Sequence, residues 1–261
     1  MAQHEIIAVR YGTARSRKSE CYHRFHVYGE PDAPQDMDFF FYVLRGPAGT
    51  VVVDTGFSPE AAVARGRECV IPPRDAFARV GVRTGEVQQL VISHLHWDHV
   101  GNLDAFADAQ LLVPEAELEF WFDPVARNDV FRTLVDDDAL AYLAGARADG
   151  RVTATGDEHE VVPGVTAITV GGHSPGQQIL VVETARGTVV LASDAVHFYE
   201  ELALSRPFDV VVDLRRMYDA YALLRRHEQE GAIVVPGHDP AVTARFPAVG
   251  GDAEGIAVRI A

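Results

Sequence analysis

Cysteine is nearly missing from this chain. Cys21 and Cys69 are the only two in 261 residues, too few for a disulfide framework and in keeping with a reducing compartment. Basic charge is also short, with 23 Lys and Arg against 38 Asp and Glu and a formal net charge of -15. A polyanion would meet a repulsive field, so nucleic acid is not an expected partner. Nowhere do about eighteen apolar residues run together, and Met1 to Glu5 carry no basic stretch leading into an apolar segment. Neither membrane insertion nor export is expected, and the chain is read as cytoplasmic. Repeats, low-complexity tracts and linkers are absent. With 48% hydrophobic composition the chain can bury a large core, and one domain over residues 1–261 is expected, in two pseudo-halves at roughly 1–150 and 151–261. Basic residues do gather locally, in Arg15-Ser16-Arg17-Lys18 and in the spaced Arg65, Arg67, Arg74 and Arg79. They could hold an anionic group, but a solvated, salt-bridged face is their expected role.

Against these absences stands His94-Leu95-His96-Trp97-Asp98-His99, directly after the apolar run Leu90-Val91-Ile92-Ser93. Imidazoles and a carboxylate suit Zn²⁺ and similar divalent ions, and one tetrahedral ion rarely takes four ligands packed so closely. The cluster points to two metals. A solvated His-rich turn with Asp98 as a helix cap is the bland alternative.

Other apolar runs end the same way: Thr50 to Val53 before Asp54, Ala167 to Gly172 before His173, Thr188 to Ser193 before Asp194, and Ala232 to Gly237 before His238. Continuous β-branched runs suit strands covered on both faces, and in layered α/β folds reactive groups gather where such strands end. Five strand ends could converge on one edge. Helices are expected at Pro59 to Cys69, Pro114 to Phe122, Asp129 to Ala146 and Leu214 to Glu230, the last with Leu214, Met217, Tyr218, Tyr221 and Leu224 on one face. Further strands are expected at Glu5 to Val9, Cys21 to Tyr28 and Asp38 to Leu44. The pattern is an α/β sandwich with helices outside two sheets.

Taken in order, Val53-Asp54-Thr55-Gly56, the HxHxDH cluster, Gly172-His173-Ser174-Pro175-Gly176, Ser193-Asp194-Ala195 and Pro236-Gly237-His238-Asp239 make a chain that resembles the metallo-β-lactamase superfamily over most of its length. The resemblance implies an αββα sandwich of two mixed sheets. It implies that His94, His96 and His173 bind one metal, that Asp98, His99 and His238 bind a second, and that Asp194 bridges them. The cofactors implied are two divalent ions per chain, zinc first, with manganese, iron or cobalt also accepted by this N/O set. Asp54 would orient the ligand loop without touching metal. A bridging hydroxide would attack a carbonyl, and Asp98 could pass a proton to the leaving oxygen.

Within the superfamily, Asp194 departs from the Cys that zinc β-lactamases carry at that position. Flavo-diiron reductases and nuclease branches also match poorly. Glyoxalase II-like thioesterases and the N-acyl homoserine lactonase-like, quorum-quenching enzymes remain, and Ser93 to Asn102 with the long insertion from Glu115 to Arg151 looks closer to the lactonases. The activity implied is opening of a lactone or related cyclic ester, with thioester or cyclic amide hydrolysis as the alternative. The lactonases carry a Tyr three residues after the bridging Asp, where this chain has His197. His197 either donates a hydrogen bond to a developing oxyanion or is a packed residue, with Phe198 or Tyr199 facing the pocket. Phe57, Trp97 and Phe198 are candidate pocket walls, and Phe120 and Phe122 are read as core. The expected partner is a small-molecule substrate, without nucleic acid or membrane, and a homodimer is allowed.

Overall fold

The computed structural model describes residues 3–261. The first sheet takes β1 (Glu5–Ala14), β2 (Met37–Gly46), β3 (Gly49–Val53), β4 (Glu68–Cys69), β5 (Gln89–Val91), β6 (Gln110–Pro114) and β7 (Val152–Thr155). The second takes β8 (Glu158–Val162), β9 (Val165–Thr169), β10 (Gln178–Thr184), β11 (Gly187–Ser193) and β12 (Ile233–Pro236). The last strand, β13 (Ala257–Arg259), returns to the first sheet beside β1. Strand order is β13-β1-β2-β3-β5-β6-β7 in the first sheet, with β4 hung on β1, and β12-β11-β10-β9-β8 in the second. Both sheets are mixed: β3, β5, β6 and β7 run parallel, as do β11 and β12, while the remaining pairs are antiparallel.

Strand alternation generates the layers. Because successive side chains leave opposite faces of a strand, Ile6, Ala8, Phe40, Tyr42, Leu44, Val51 and Val53 point inward and meet Leu180, Val182, Val189, Leu191 and Val235 from the second sheet. Their neighbours Ile7, Val9, Phe39, Phe41, Val43 and Val52 point outward into a core shared with helices over the first sheet. On the far side Ile179, Val190, Ala192 and Val234 pack against Met217, Ala220, Tyr221 and Leu224 of the helix Leu214–Gln229. The result is helix, sheet, sheet, helix, as the sequence pattern anticipated.

Three expected elements differ. The segment 21–28 is not a strand: a helical turn Lys18–Cys21 and a 3₁₀ turn Phe25–Tyr28 flank Arg24, whose φ of 51° no strand accommodates. The helix from Pro59 stops at Ala64, Gly66 turns at φ 63°, and Glu68–Cys69 pairs with β1 instead. The span 129–146 is two helices, Asp129–Arg132 and Asp137–Ala148. The bend between them is tied to the His cluster by the Trp97 N–H, which donates to Leu134 O at 2.9 Å. Among the described residues no helix is long and apolar enough to cross a membrane.

Candidate metal centre

The five expected strand ends do converge. Immediately after β3, Asp54 adopts a left-handed φ of 63°, and at the end of β11 Ser193 does so at 45°. Such non-glycine conformations cost free energy and gather at functional sites. Here each turns the chain sharply at the edge where the donors meet. His94, His96, Asp98 and His99 follow β5, with the helix Trp97–Val100 carrying the last two. His173, Asp194 and His238 follow β9, β11 and β12 of the other sheet.

Their donor atoms form overlapping groups within 4.8 Å: His94, His96 and His173; His94, His99 and Asp194; Asp98, His99 and His238; and His173, Asp194 and His197. Asp194 lies between the first and third groups. Its Oδ2 is 3.4 Å from His173 Nε2 and 3.9 Å from His94 Nε2, while its Oδ1 is 3.4 Å from His99 Nε2 and 3.1 Å from His238 Nε2. Oδ2 is also 3.2 Å from His238 Nε2, so the one carboxylate reaches donors of both trios. The Nε2 atoms of His94 and His99 are buried without hydrogen-bond partners, and His96 meets the cluster through Nδ1, 2.8 Å from His173 Nε2. A buried lone pair with nothing facing it is costly, and a divalent cation is the partner this donor set fits.

The rings are held from behind. Asp54 Oδ1 accepts the Ser93 N–H at 2.7 Å, and its Oδ2 accepts Ser93 Oγ at 2.8 Å and lies 2.7 Å from His99 Nδ1. His173 Nδ1 reaches Val210 O at 2.8 Å, and His238 Nδ1 reaches Asp38 O at 2.9 Å. With Nδ1 held by these oxygens, each of the three rings turns its Nε2 toward the centre. Burial pushes His94 and His173 well below the usual imidazole range and His96 down to about 3. These three rings are neutral at physiological pH, as metal ligation requires. Burial opposes charge on His99 too, but Asp194, Asp98 and Asp54 outweigh it and raise that ring.

His197 faces the centre. Its ring stacks on Phe208 at 3.7 Å between centroids, and its Nε2 is 3.1 Å from Asp194 Oδ2 without hydrogen-bond alignment. Burial works against its charge, yet Asp194 and Glu201 raise it to about 9. Glu201, fully buried, accepts the His197 N–H at 2.6 Å and the Phe208 N–H at 3.2 Å, and also the Tyr221 hydroxyl. Glu117 does similar work on the other flank. It accepts the Leu95 N–H at 2.8 Å, the Gly176 N–H at 2.6 Å, Trp121 Nε1 at 2.7 Å and the Ser174 hydroxyl, joining the loop of His94 and His96 to that of His173. Burial pushes its carboxyl up, and those four donors pull against it.

A cavity of about 290 Å³ opens over the donors, floored by His96, Asp98, His173, Asp194, His197 and His238. Met37, Phe39, Trp97, Leu134, Phe208 and Val210 form its walls, with Glu20, Arg65, Arg67, Thr133 and Asp209 also lining it. Two larger clefts, about 440 and 610 Å³, flank the helix Asp137–Ala148 and hold none of these histidines. Of the three expected walls, only Trp97 lines the cavity. Phe57 lies beneath it, fully buried and stacked on Trp97 at 5.1 Å, because the Asp54 turn drives it into the core. Phe198 packs between Tyr22 and Phe208, since the helix beginning at Tyr199 turns it inward, and Phe208 takes its place in the wall. Phe122 is 41% exposed rather than core. Glu117, Glu201 and Phe208 carry no motif of their own; the His197 to Glu201 spacing is the one sequence signal among them.

Residues 40–238 match the metallo-β-lactamase superfamily. The chain is similar to the N-acyl homoserine lactonase AiiA of Bacillus thuringiensis subsp. kurstaki, 29% identical over 214 residues that cover 76% of this chain and 80% of that one. It is equally similar to the N-acyl homoserine lactonase AttM of Agrobacterium fabrum (strain C58 / ATCC 33970), 29% identical over 231 residues, covering 79% and 83%. The solved structure of a quorum-quenching N-acyl homoserine lactone lactonase superposes with a TM-score of 0.77 at 23% identity, over 95% of this chain and 97% of that one. Matched across most of its length and built on the same sandwich, the chain belongs to the metallo-β-lactamase superfamily.

Proposed function

We propose that this protein is a dinuclear-metal hydrolase that opens a lactone or related cyclic ester, as its relatives named N-acyl homoserine lactonases do. The observation that carries the reading is Asp194, whose carboxylate lies within 3.9 Å of donors in both His-rich trios. In this reading His94, His96 and His173 would hold one ion, Asp98, His99 and His238 would hold the other, and Asp194 would serve both. Zinc suits the donor set best, and manganese, iron or cobalt would also fit. Bound there, two divalent ions would bring the pKa of water toward neutrality and polarise a carbonyl under attack.

The chain's own groups do the rest. His197, held by the Phe208 stack, turns Nε2 into the cavity and donates a hydrogen bond to the substrate carbonyl oxygen as negative charge grows there. Asp98 Oδ2, 3.6 Å from His99 Nε2 and 3.8 Å from His238 Nε2, borders the same cavity, takes the proton from the hydroxyl newly added to the carbonyl carbon and gives it to the departing alkoxide. Met37, Phe39, Trp97 and Leu134 exclude water from the ring. A volume of about 290 Å³ lies at the low end for ligand pockets and favours a small ring with a short substituent. We read residues 1–261 as one domain of two halves, because β13 returns to the first sheet. The two free cysteines fit a cytoplasmic setting.

Elemental analysis of the purified protein, followed by a pH-indicator assay on a lactone, thioester and β-lactam panel, tests this reading. Near two metals per chain and acid release from lactones are expected. Asp98→Asn should keep the fold and lose roughly a hundredfold in rate. Inert metal-loaded protein across short and long acyl homoserine lactones, aromatic lactones and simple γ-lactones would refute the substrate class, and thiol release alone would move it to thioesters.

A further inference from the structure

The spaced arginines after the helix Pro59–Ala64 do not share one role. Arg65 is committed: it pairs with Asp136 at 2.7 Å, donates to the Thr133 and Val135 carbonyls, and lies over the Trp97 ring at 4.6 Å. Arg74 pairs with Asp104 at 2.5 Å. Arg67 differs. Its side chain makes no hydrogen bond or ion pair with any described residue, its Nε is buried without a partner, and it lines the cavity over the metal donors.

In a chain with 15 more acidic than basic residues, this is an unusual thing to leave undone. Glu20, on the same cavity, turns its Oε2 to Ser16 Oγ at 2.8 Å and to the Arg17 N–H at 3.0 Å, and makes no ion pair with Arg67. Asp209 is largely exposed and faces His23 at 3.8 Å. A buried guanidinium N–H without an acceptor costs free energy, and a guanidinium's planar fork of donors matches the two oxygens of a carboxylate. We infer that Arg67 is the subsite for a carboxylate on the substrate, so that the natural substrate is a small lactone bearing an acidic substituent rather than one with a long neutral acyl chain. This rests on the lactone-hydrolase reading. The cavity is small, and of the two arginines that border it, beside Glu20 and Asp209, only Arg67 is uncommitted.

The test uses metal-loaded wild type, Arg67→Met and Arg67→Lys with two substrates of one ring, γ-butyrolactone and its γ-carboxylate. In the wild type the carboxylate lactone should have a KM about tenfold lower than the neutral one, the expected size for one charge-assisted pair. Arg67→Met should raise KM for the carboxylate lactone about tenfold more than for γ-butyrolactone, with Arg67→Lys recovering part of the difference. A change by the same factor for both lactones would overturn the inference. Calorimetry with glutarate against butyrate separates this from a failure of the lactonase reading. If no lactone turns over, glutarate binding more tightly than butyrate to the wild type but not to Arg67→Met still supports the subsite. Equal binding of the two acids to the wild type sinks it.

Discussion

At the scale of single residues, the groups behind the donors carry as much consequence as the donors. Asp54 does not line the cavity over the donors, yet its Oδ2 holds His99 Nδ1 at 2.7 Å and so fixes which nitrogen that ring offers. Asn tolerates the left-handed φ of 63° found there and keeps the shape while losing the charge. Asp54→Asn should therefore fold normally and bind metal roughly 10- to 100-fold more weakly, read by competition with a chromogenic chelator. Unchanged metal affinity would show that Asp54 is only a turn former. Glu117 poses the complementary case, a buried carboxylate that satisfies four donors, three from two loops and one from Trp121 on its own helix. In Glu117→Gln the amide N–H₂ would face donors it cannot accept, at a cost of about 3 kcal/mol. In a chain of this size that corresponds to a fall in Tm of roughly 6–12 °C by scanning calorimetry, and a shift below about 2 °C would contradict the network. Asp54 was legible because it ends an apolar run before Thr-Gly. Glu117 was not, because an acidic residue on a short helix reads as solvated surface until the loops of Leu95 and Gly176 close over it.

At the scale of elements, backbone contact sets the register of the donor loop. Gly101 ends the helix Trp97–Val100 and donates its N–H to Gly56 O at 2.8 Å. A Cβ there would come within 2.8 Å of Gly56 O and 2.9 Å of Phe57 Cα, and backbone atoms cannot swing away as a side-chain tip can. Gly101→Ala should cost about 1–3 kcal/mol and misplace Asp98 and His99, lowering both Tm and metal content. Gly145, inside the helix Asp137–Ala148, has open space where a Cβ would go. Gly145→Ala should instead add about 0.5–1 kcal/mol without touching the site. The pair discriminates close approach from glycine flexibility, since flexibility alone would give both substitutions the same sign. The same physics explains which elements could be read in advance. β3, β5, β11 and β12 are buried on both faces and so appear as unbroken apolar runs. The segment 21–28 carries apolar residues too, but Cys21, Tyr22 and Phe25 are buried at helical rather than alternating spacing, and Gly66 ended a helix whose apolar pattern continued.

At the scale of the whole molecule, the proposed metal ligands divide four and three between the two sheets. His94, His96, Asp98 and His99 follow β5 of the first, whereas His173, Asp194 and His238 follow strands of the second. Without cations, the same edge concentrates two carboxylates and five imidazoles, with buried Nε2 atoms left unpartnered where the two sheets meet. Ions that bind the folded chain and not the unfolded one add stability as RT ln(1 + [L]/Kd), about 2.7 kcal/mol at a free concentration a hundred times Kd. Chelation should therefore lower Tm by roughly 5–11 °C, and readdition of zinc should restore it in proportion to the logarithm of free metal. Because the ligands span both sheets, hydrogen exchange in the chelated protein should quicken at the ends of β5, β11 and β12 together while the centre of β2, buried on both faces, stays protected. Acceleration confined to the β5 end would mean that the second sheet does not contribute ligands, and the division of the site between sheets would have to be abandoned.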